Sequence, residues 1–245
     1  RDAQESRGLG DVYKRQMYFF LSNLSFVEIC YTTVVVPLML SNIFGAQKPI
    51  PLAGCGAQMF FFVTLGSTDC FLLAIMAYDR YVAICHPLHY PVLMNPQTNA
   101  TLAASAWLTA LLLPIPAVVR TSQMAYNSIA YIYHCFCDHL AVVQASCSDT
   151  TPQTLMGFCI AMVVSFLPLL LVLLSYVHIL ASVLRISSLE GRAKAFSTCS
   201  SHLLVVGTYY SSIAIAYVAY RADLPLDFHV MGNVVYAILT PVLHS

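Results

Sequence analysis

Three groups of residues in this chain have types and spacing that could do chemistry. Asp79-Arg80-Tyr81 closes an apolar run that starts near Gly56, and a Pro-containing polar turn follows it within Met76–Tyr90. Arginine keeps its charge in any environment and offers five fixed donors, so a helix mouth carrying it can pass a signal to a soluble partner. Glu28 and Asp69 are the acids that lie well inside apolar segments. A carboxylate there is costly enough to point to function. Cys135, Cys137 and Cys147 crowd the 120–153 segment, where His134-Cys135-Phe136-Cys137-Asp138-His139 also offers donors suited to zinc or copper. In an oxidising compartment such thiols more often form disulfides. The apolar segments hold no nucleophile–base or metal constellation, which disfavours an enzyme.

The elements that must position these groups are membrane helices. The 245 residues are 59% hydrophobic and 9% charged, too little charge for the wet surface of a soluble domain. Net charge is zero and no basic tract exists, so nucleic acid is not expected as a partner. A helix needs about 20 apolar residues to cross a bilayer. Six segments reach or approach that length: 17–44, 56–78, 100–119, 154–184, 195–220 and 228–243. Their runs are continuous rather than alternating, which predicts helices and not a barrel. With 79–99 and 185–194 in the cytoplasm, that side holds Arg80, Arg185, Arg192 and Lys194, against Lys48, Arg120 and Arg221 outside. This satisfies the positive-inside bias narrowly. The cysteines of 120–153 fit the outer side.

Residues 1–16 differ from the rest. They carry four of the eleven Lys/Arg and three of the eleven Asp/Glu, with no apolar core, and so read neither as a signal peptide nor as a spanning helix. They are expected to be a foreign or mis-joined, disordered segment, with 17–245 a partial membrane domain whose last helix is cut short.

MAYDRYVAICHPLHYPVLM at 76–94 resembles the third-helix end and second cytoplasmic loop of vertebrate odorant (olfactory) receptors, rhodopsin-like G-protein-coupled receptors. MYFFLSNLS at 17–25, Cys55, Ser175-Tyr176, KAFSTCSSHL at 194–203 and Pro241 are similar to further motifs of that family, in the same order. The details are similar to its tetrapod-type class, subfamily 2. The resemblance implies an all-α membrane protein holding six of the seven helices of a rhodopsin-like bundle, two to seven, the last truncated. It departs from the family at Gln16, where Pro is usual, and at His244-Ser245, where Asn-Pro is usual.

Carried over by position, the resemblance implies G-protein coupling through Asp79, Arg80, Tyr81, Tyr176 and Lys194, with Ser201 and His202 at the start of the sixth helix. Asp79 would hold Arg80 until the fifth and sixth helices part. His86 and His89 read as packing residues of the loop. A bridge between Cys55 and Cys137 would pin the second extracellular loop over the pocket, with Cys135 and Cys147 as a second expected pair. The pocket would be lined by Phe62, Val63, Gly66 and Ser67, by Ile160, Ala161 and Val164, and by Tyr210, Ile213 and Tyr217, with Val234 and Ala237. Such an apolar lining with a few hydroxyls suits a small, neutral, volatile ligand. Glu28 lies eleven residues after Met17 and Asp69 eleven before Arg80, so on antiparallel neighbours both sit about 16 Å from one end. Two carboxylates in low dielectric share a proton or a cation; a sodium ion with Ser25 and Ser67 is one expectation, and no other cofactor is implied. The expected function is odorant reception at the plasma membrane through a stimulatory olfactory-type G protein and cAMP. Two alternatives stay open: an inert truncated receptor product, and an ion-coupled transporter using Glu28 and Asp69. The chain shows no internal repeat of the kind transporters carry.

Overall fold

The computed structural model describes residues 2–43, 50–127, 132 and 137–221. Its elements are α1 (Asp2–Ile43), α2 (Leu52–Cys85), α3 (Tyr90–Leu93), α4 (Pro96–Leu112), α5 (Ile115–Ser122), α6 (His139–Gln144), α7 (Thr151–Leu184) and α8 (Leu189–Arg221). The chain is an all-helical membrane bundle. Long apolar runs become helices because a bilayer offers no water to backbone N–H and C=O groups, which must then pair within their own segment.

Among the described residues, Arg15–Leu38, Leu52–Cys85, Pro96–Ser122 and Thr151–Leu184 are long and apolar enough to cross a membrane. They match the first four expected segments. The 100–119 run is not one helix: it breaks after Leu112, where Pro114 and Pro116 cannot donate to the preceding turn. The fifth segment forms α8, whose 33 residues are of spanning length. The sixth, 228–243, lies outside the described residues, and with it Val234, Ala237 and Pro241. One expectation is corrected. Residues 2–16 are not disordered: α1 begins at Asp2 and runs through them unbroken, consistent with the helix-forming Ala, Gln, Glu, Arg and Lys there.

The central element is α2, which packs against α1, α4, α5, α7 and α8. Lipid is as apolar as leucine, so close packing and interhelical polar bonds hold such a bundle, each bond contributing ~0.6 kcal/mol on average. Ala103, Ala106 and Ala110 give α4 a buried face of small side chains. Trp107 Nε1 donates to Asn23 Oδ1 across α4 and α1 at 3.4 Å. Gln58 Nε2 donates to Val34 O at 3.0 Å, tying α2 to α1. In contrast, α7 turns Phe158, Phe166, Leu170 and Leu173 outward, each at least half exposed, a face made for lipid.

Candidate functional site

At the end of α2 that carries the charge, Asp79 is only 4% exposed. It accepts a 2.6 Å hydrogen bond from the hydroxyl of Tyr90, a fully buried residue at the start of α3. Asp79 makes no ion pair with Arg80, so the expected clasp between neighbours is replaced by one between helix and loop. The reason is geometric: residues adjacent on a helix point about 100° apart. Arg80 turns instead to α1, where its Nη2 meets the thioether of Met17.

Tyr81 packs between two imidazoles, with ring centroids 5.4 Å from His86 and 5.8 Å from His178. His86 therefore does more than pack against the loop, since its Nε2 shares a 3.0 Å hydrogen bond with the Tyr81 hydroxyl. Tyr176 of α7 stacks on His202 of α8 at 5.8 Å and 20°, and its hydroxyl shares a 2.6 Å hydrogen bond with Nδ1. Tyr81 and Tyr176 both pack on the buried Ile179, Val183 and Cys199, so α2, α7 and α8 meet in one cluster. Lys194 and Ser201 are exposed beside it. Of the five coupling residues expected from sequence, Tyr81 and Tyr176 meet in this cluster, Asp79 turns to α3, Arg80 turns to α1, and Lys194 is exposed.

In the outer half of the bundle, Phe62, Ile160, Val164, Tyr210 and Ile213 join one apolar cluster. Tyr31 of α1 adds its ring, 5.4 Å from that of Phe62. Val63 and Gly66 are half-buried and Ser67 is buried. Ser67 Oγ donates to Val63 O at 2.6 Å, so its proton is used within its own helix. Ala161 is exposed, which removes it from the expected lining. Tyr217 lies in α8, but its side chain is outside the described residues. Tyr210 donates to Ser165 O at 3.2 Å and thereby links α8 to α7.

Sequence reading missed Tyr209. Its hydroxyl donates to Gly66 O at 2.8 Å and accepts from Cys70 Sγ at 3.1 Å, binding α8 to α2. The signal was the Tyr209-Tyr210 doublet itself: two neighbouring hydroxyls about 100° apart can tie one helix to two partners.

Over this region, Cys55 and Cys137 form a disulfide with a Cα–Cα distance of 5.4 Å. Gln58, also missed, accepts from Cys137 N at 3.0 Å while donating to α1. Asp138 caps α6 by accepting from Leu140 N and Ala141 N. His139 then lies against Gly157 of α7, so closely that a Cβ there would meet its Nδ1 at 2.6 Å. Its Nε2 contacts Thr121 Oγ1 at 3.3 Å. Burial holds the His139 imidazole below its ordinary value, and the Asp138 carboxylate offsets part of that. The other expected bridge is not formed. Cys147 is a free, exposed thiol that donates to Asn127 Oδ1 at 3.4 Å. Hydrogen bonds from Cys147 N and Ser146 Oγ to Ala125 O, each 2.9 Å, fix that orientation. Cys135 lies outside the described residues. So does His134, and among the described residues no three His, Cys, Asp or Glu side chains gather as metal ligands.

Glu28 and Asp69 are both buried, at 8% and 1% exposure, on the neighbouring helices α1 and α2. Ser25 is half-buried on the same helix as Glu28. The donors at this level are oxygens, the set a hard cation takes.

Residues 11–245 match the family model described as olfactory receptor. Olfactory receptor 2AT4 of Homo sapiens is 82% identical over 230 residues, covering 94% of this chain and 72% of that protein. Human olfactory receptors 10Q1 and 10J1 are 50% and 44% identical, covering 93% of this chain and 72% and 71% of theirs. With the helical bundle, the bridge and the charged helix mouth in place, the chain belongs to the olfactory receptor family.

Proposed function

We propose that this chain binds a small, mostly apolar volatile compound between α2, α7 and α8 and activates a stimulatory olfactory-type G protein, raising cAMP from the plasma membrane. Membership of the family supports odorant reception and G-protein signalling as the general activity, and ligand binding rather than turnover as its chemistry. The observation that carries the finer reading is the uncharged cluster of Phe62, Ile160, Val164, Tyr210 and Ile213 beneath the bridged loop. A site of that composition selects by shape and one or two hydrogen bonds. The Tyr176–His202 contact supports the output half, because it latches α7 to α8 beside Arg80. A ligand that favours separated helices shifts that equilibrium. The test is a cAMP assay over a panel of neutral volatiles. Ile160→Trp, which fills the proposed space, is expected to abolish responses to the larger compounds while surface level is kept. An unchanged response profile would sink the pocket.

The same reading extends to a cation. Two carboxylates brought together in low dielectric share a proton or a positive ion, and Glu28 and Asp69, buried on the neighbouring helices α1 and α2, would with Ser25 and Ser67 suit sodium by their oxygen donors. The ion would supply neutralising charge. The acids and hydroxyls would hold it, and Ser67, whose proton is committed to Val63 O, keeps its lone pairs for the purpose.

A further inference from the structure

We propose that the crevice between the cytoplasmic ends of α2 and α7 binds the phosphomonoester headgroup of an anionic inner-leaflet phospholipid. This goes beyond the receptor reading and takes from it only the orientation of the chain.

The crevice has a volume of about 260 Å³ and is lined by Tyr81, Cys85, His86, His178, Ser182 and Arg185. Cavities that enclose a whole drug-sized ligand run to about 300–1,000 Å³, so this one suits a headgroup better than a complete molecule. Its polar groups are a guanidinium, two imidazoles and two hydroxyls, with no carboxylate among them. Such a wall favours an anion and gives the ammonium of a zwitterionic headgroup nothing to meet.

The walls are fixed before anything binds. Tyr81 is held between both imidazoles and bonded to His86. Cys85 Sγ reaches His178 O at 3.7 Å, tying α2 to α7. Arg185 caps α7 and Arg192 lies in the first turn of α8, and their roles differ. Arg192 donates from Nε to Ile186 O at 2.7 Å and from Nη2 to Leu184 O at 3.1 Å. It thus satisfies carbonyls that the helix end leaves open. Arg185, the residue that caps α7, lines the crevice and has no such duty. A phosphomonoester carries about −1.5 to −2 charge at neutral pH and three acceptor oxygens, and an arginine fork matches those oxygens.

The lipid tails have a place to lie. Val177, Leu180 and Leu184 are 63%, 47% and 58% exposed. Their i, i+3, i+7 spacing runs up one face of α7 beside the crevice. A free phosphate would use the polar groups alone; a lipid uses both surfaces.

The test is native mass spectrometry of the purified chain in detergent, with dioctanoyl phosphatidic acid as probe. Dioctanoyl phosphatidylcholine and inorganic phosphate are the comparators. The expected result is a retained phosphatidic acid adduct, with both comparators at least about tenfold weaker. Arg185→Gln should lose about tenfold and Arg185→Lys much less. Arg185 is exposed at a helix end, so its substitution leaves the bundle folded; His178→Gln gives a second variant, expected to lose severalfold. Equal adducts in Arg185→Gln and the parent would overturn the site. Phosphatidylcholine binding as well as phosphatidic acid would overturn the anionic headgroup. Inorganic phosphate binding as tightly would overturn the lipid. None of these readouts uses signalling, so failure here and failure of the receptor reading are separate results.

Discussion

Replacing His202 by phenylalanine tests the latch between α7 and α8. The substitution keeps an aromatic ring to stack on Tyr176, now 5.8 Å away at 20°, and removes the nitrogen that shares the 2.6 Å hydrogen bond. His202 is 4% exposed, so the Tyr176 hydroxyl loses a partner in a place where water does not readily replace it. Leaving a buried polar group without its partner costs about 1–3 kcal/mol; for this part-buried hydroxyl the lower end, about 1–2 kcal/mol, applies, a factor of about 5–30 in an equilibrium. From a resting open population of ~1%, within the usual range for a minor state, the variant reaches about 5–25%. Tyr176 keeps its hydroxyl for any contact with Arg80 once the helices part. The assay is ligand-free cAMP at matched surface expression. Basal signal is expected to rise severalfold with the maximal response retained. A basal signal equal to or below that of the parent would refute the claim that this bond holds the closed arrangement.

Gln58→Leu removes both the bond to Val34 O and the bond from Cys137 N; it is expected to cost about 1–3 kcal/mol, read as a lower melting temperature and faster hydrogen exchange at residues 137–142. His139 is held below its ordinary value of 6.5 by burial, so between that value and the lower folded one the unfolded loop binds more protons. The contribution of His139 is therefore complete above pH ~6.5 and is lost as pH falls through the folded value. Protection against hydrogen exchange at residues 139–144, relative to the intrinsic rate at each pH, should fall on acidification, and His139→Gln should flatten the profile. For the carboxylate pair, sodium is expected to raise the melting temperature of the parent and not of Glu28→Gln; identical sodium responses in the two would remove the cation reading.

Much of the bundle was legible because its cause is local. A run of twenty apolar residues has no other way to satisfy its backbone in lipid, so α1, α2, α7 and α8 follow from composition. The break between α4 and α5 went unread in the 100–119 run, although Pro114 and Pro116 are its physical cause. What escaped was side-chain direction. Asp79 and Tyr90 are eleven residues apart across a turn, and only the fold of α3 against α2 brings them together. Which of Tyr209 and Tyr210 faces α2 depends on the rotation of α8 about its axis, a property of packing. The Cys55–Cys137 bridge was readable through family resemblance, whereas Cys147 was drawn toward Asn127 by loop hydrogen bonds that no spacing rule encodes. Residues 2–16 were misjudged because polarity was taken as disorder, although helix propensity pointed the other way.

The most direct measurement compares the parent with Arg80→Ala in cells supplied with an olfactory-type G protein, at equal surface level, across a panel of small neutral volatiles. At least one volatile is expected to raise cAMP in the parent, and Arg80→Ala to abolish the rise while leaving the protein at the surface. A response that persists in Arg80→Ala, or a parent at the surface that answers no volatile in the panel, would contradict that expectation.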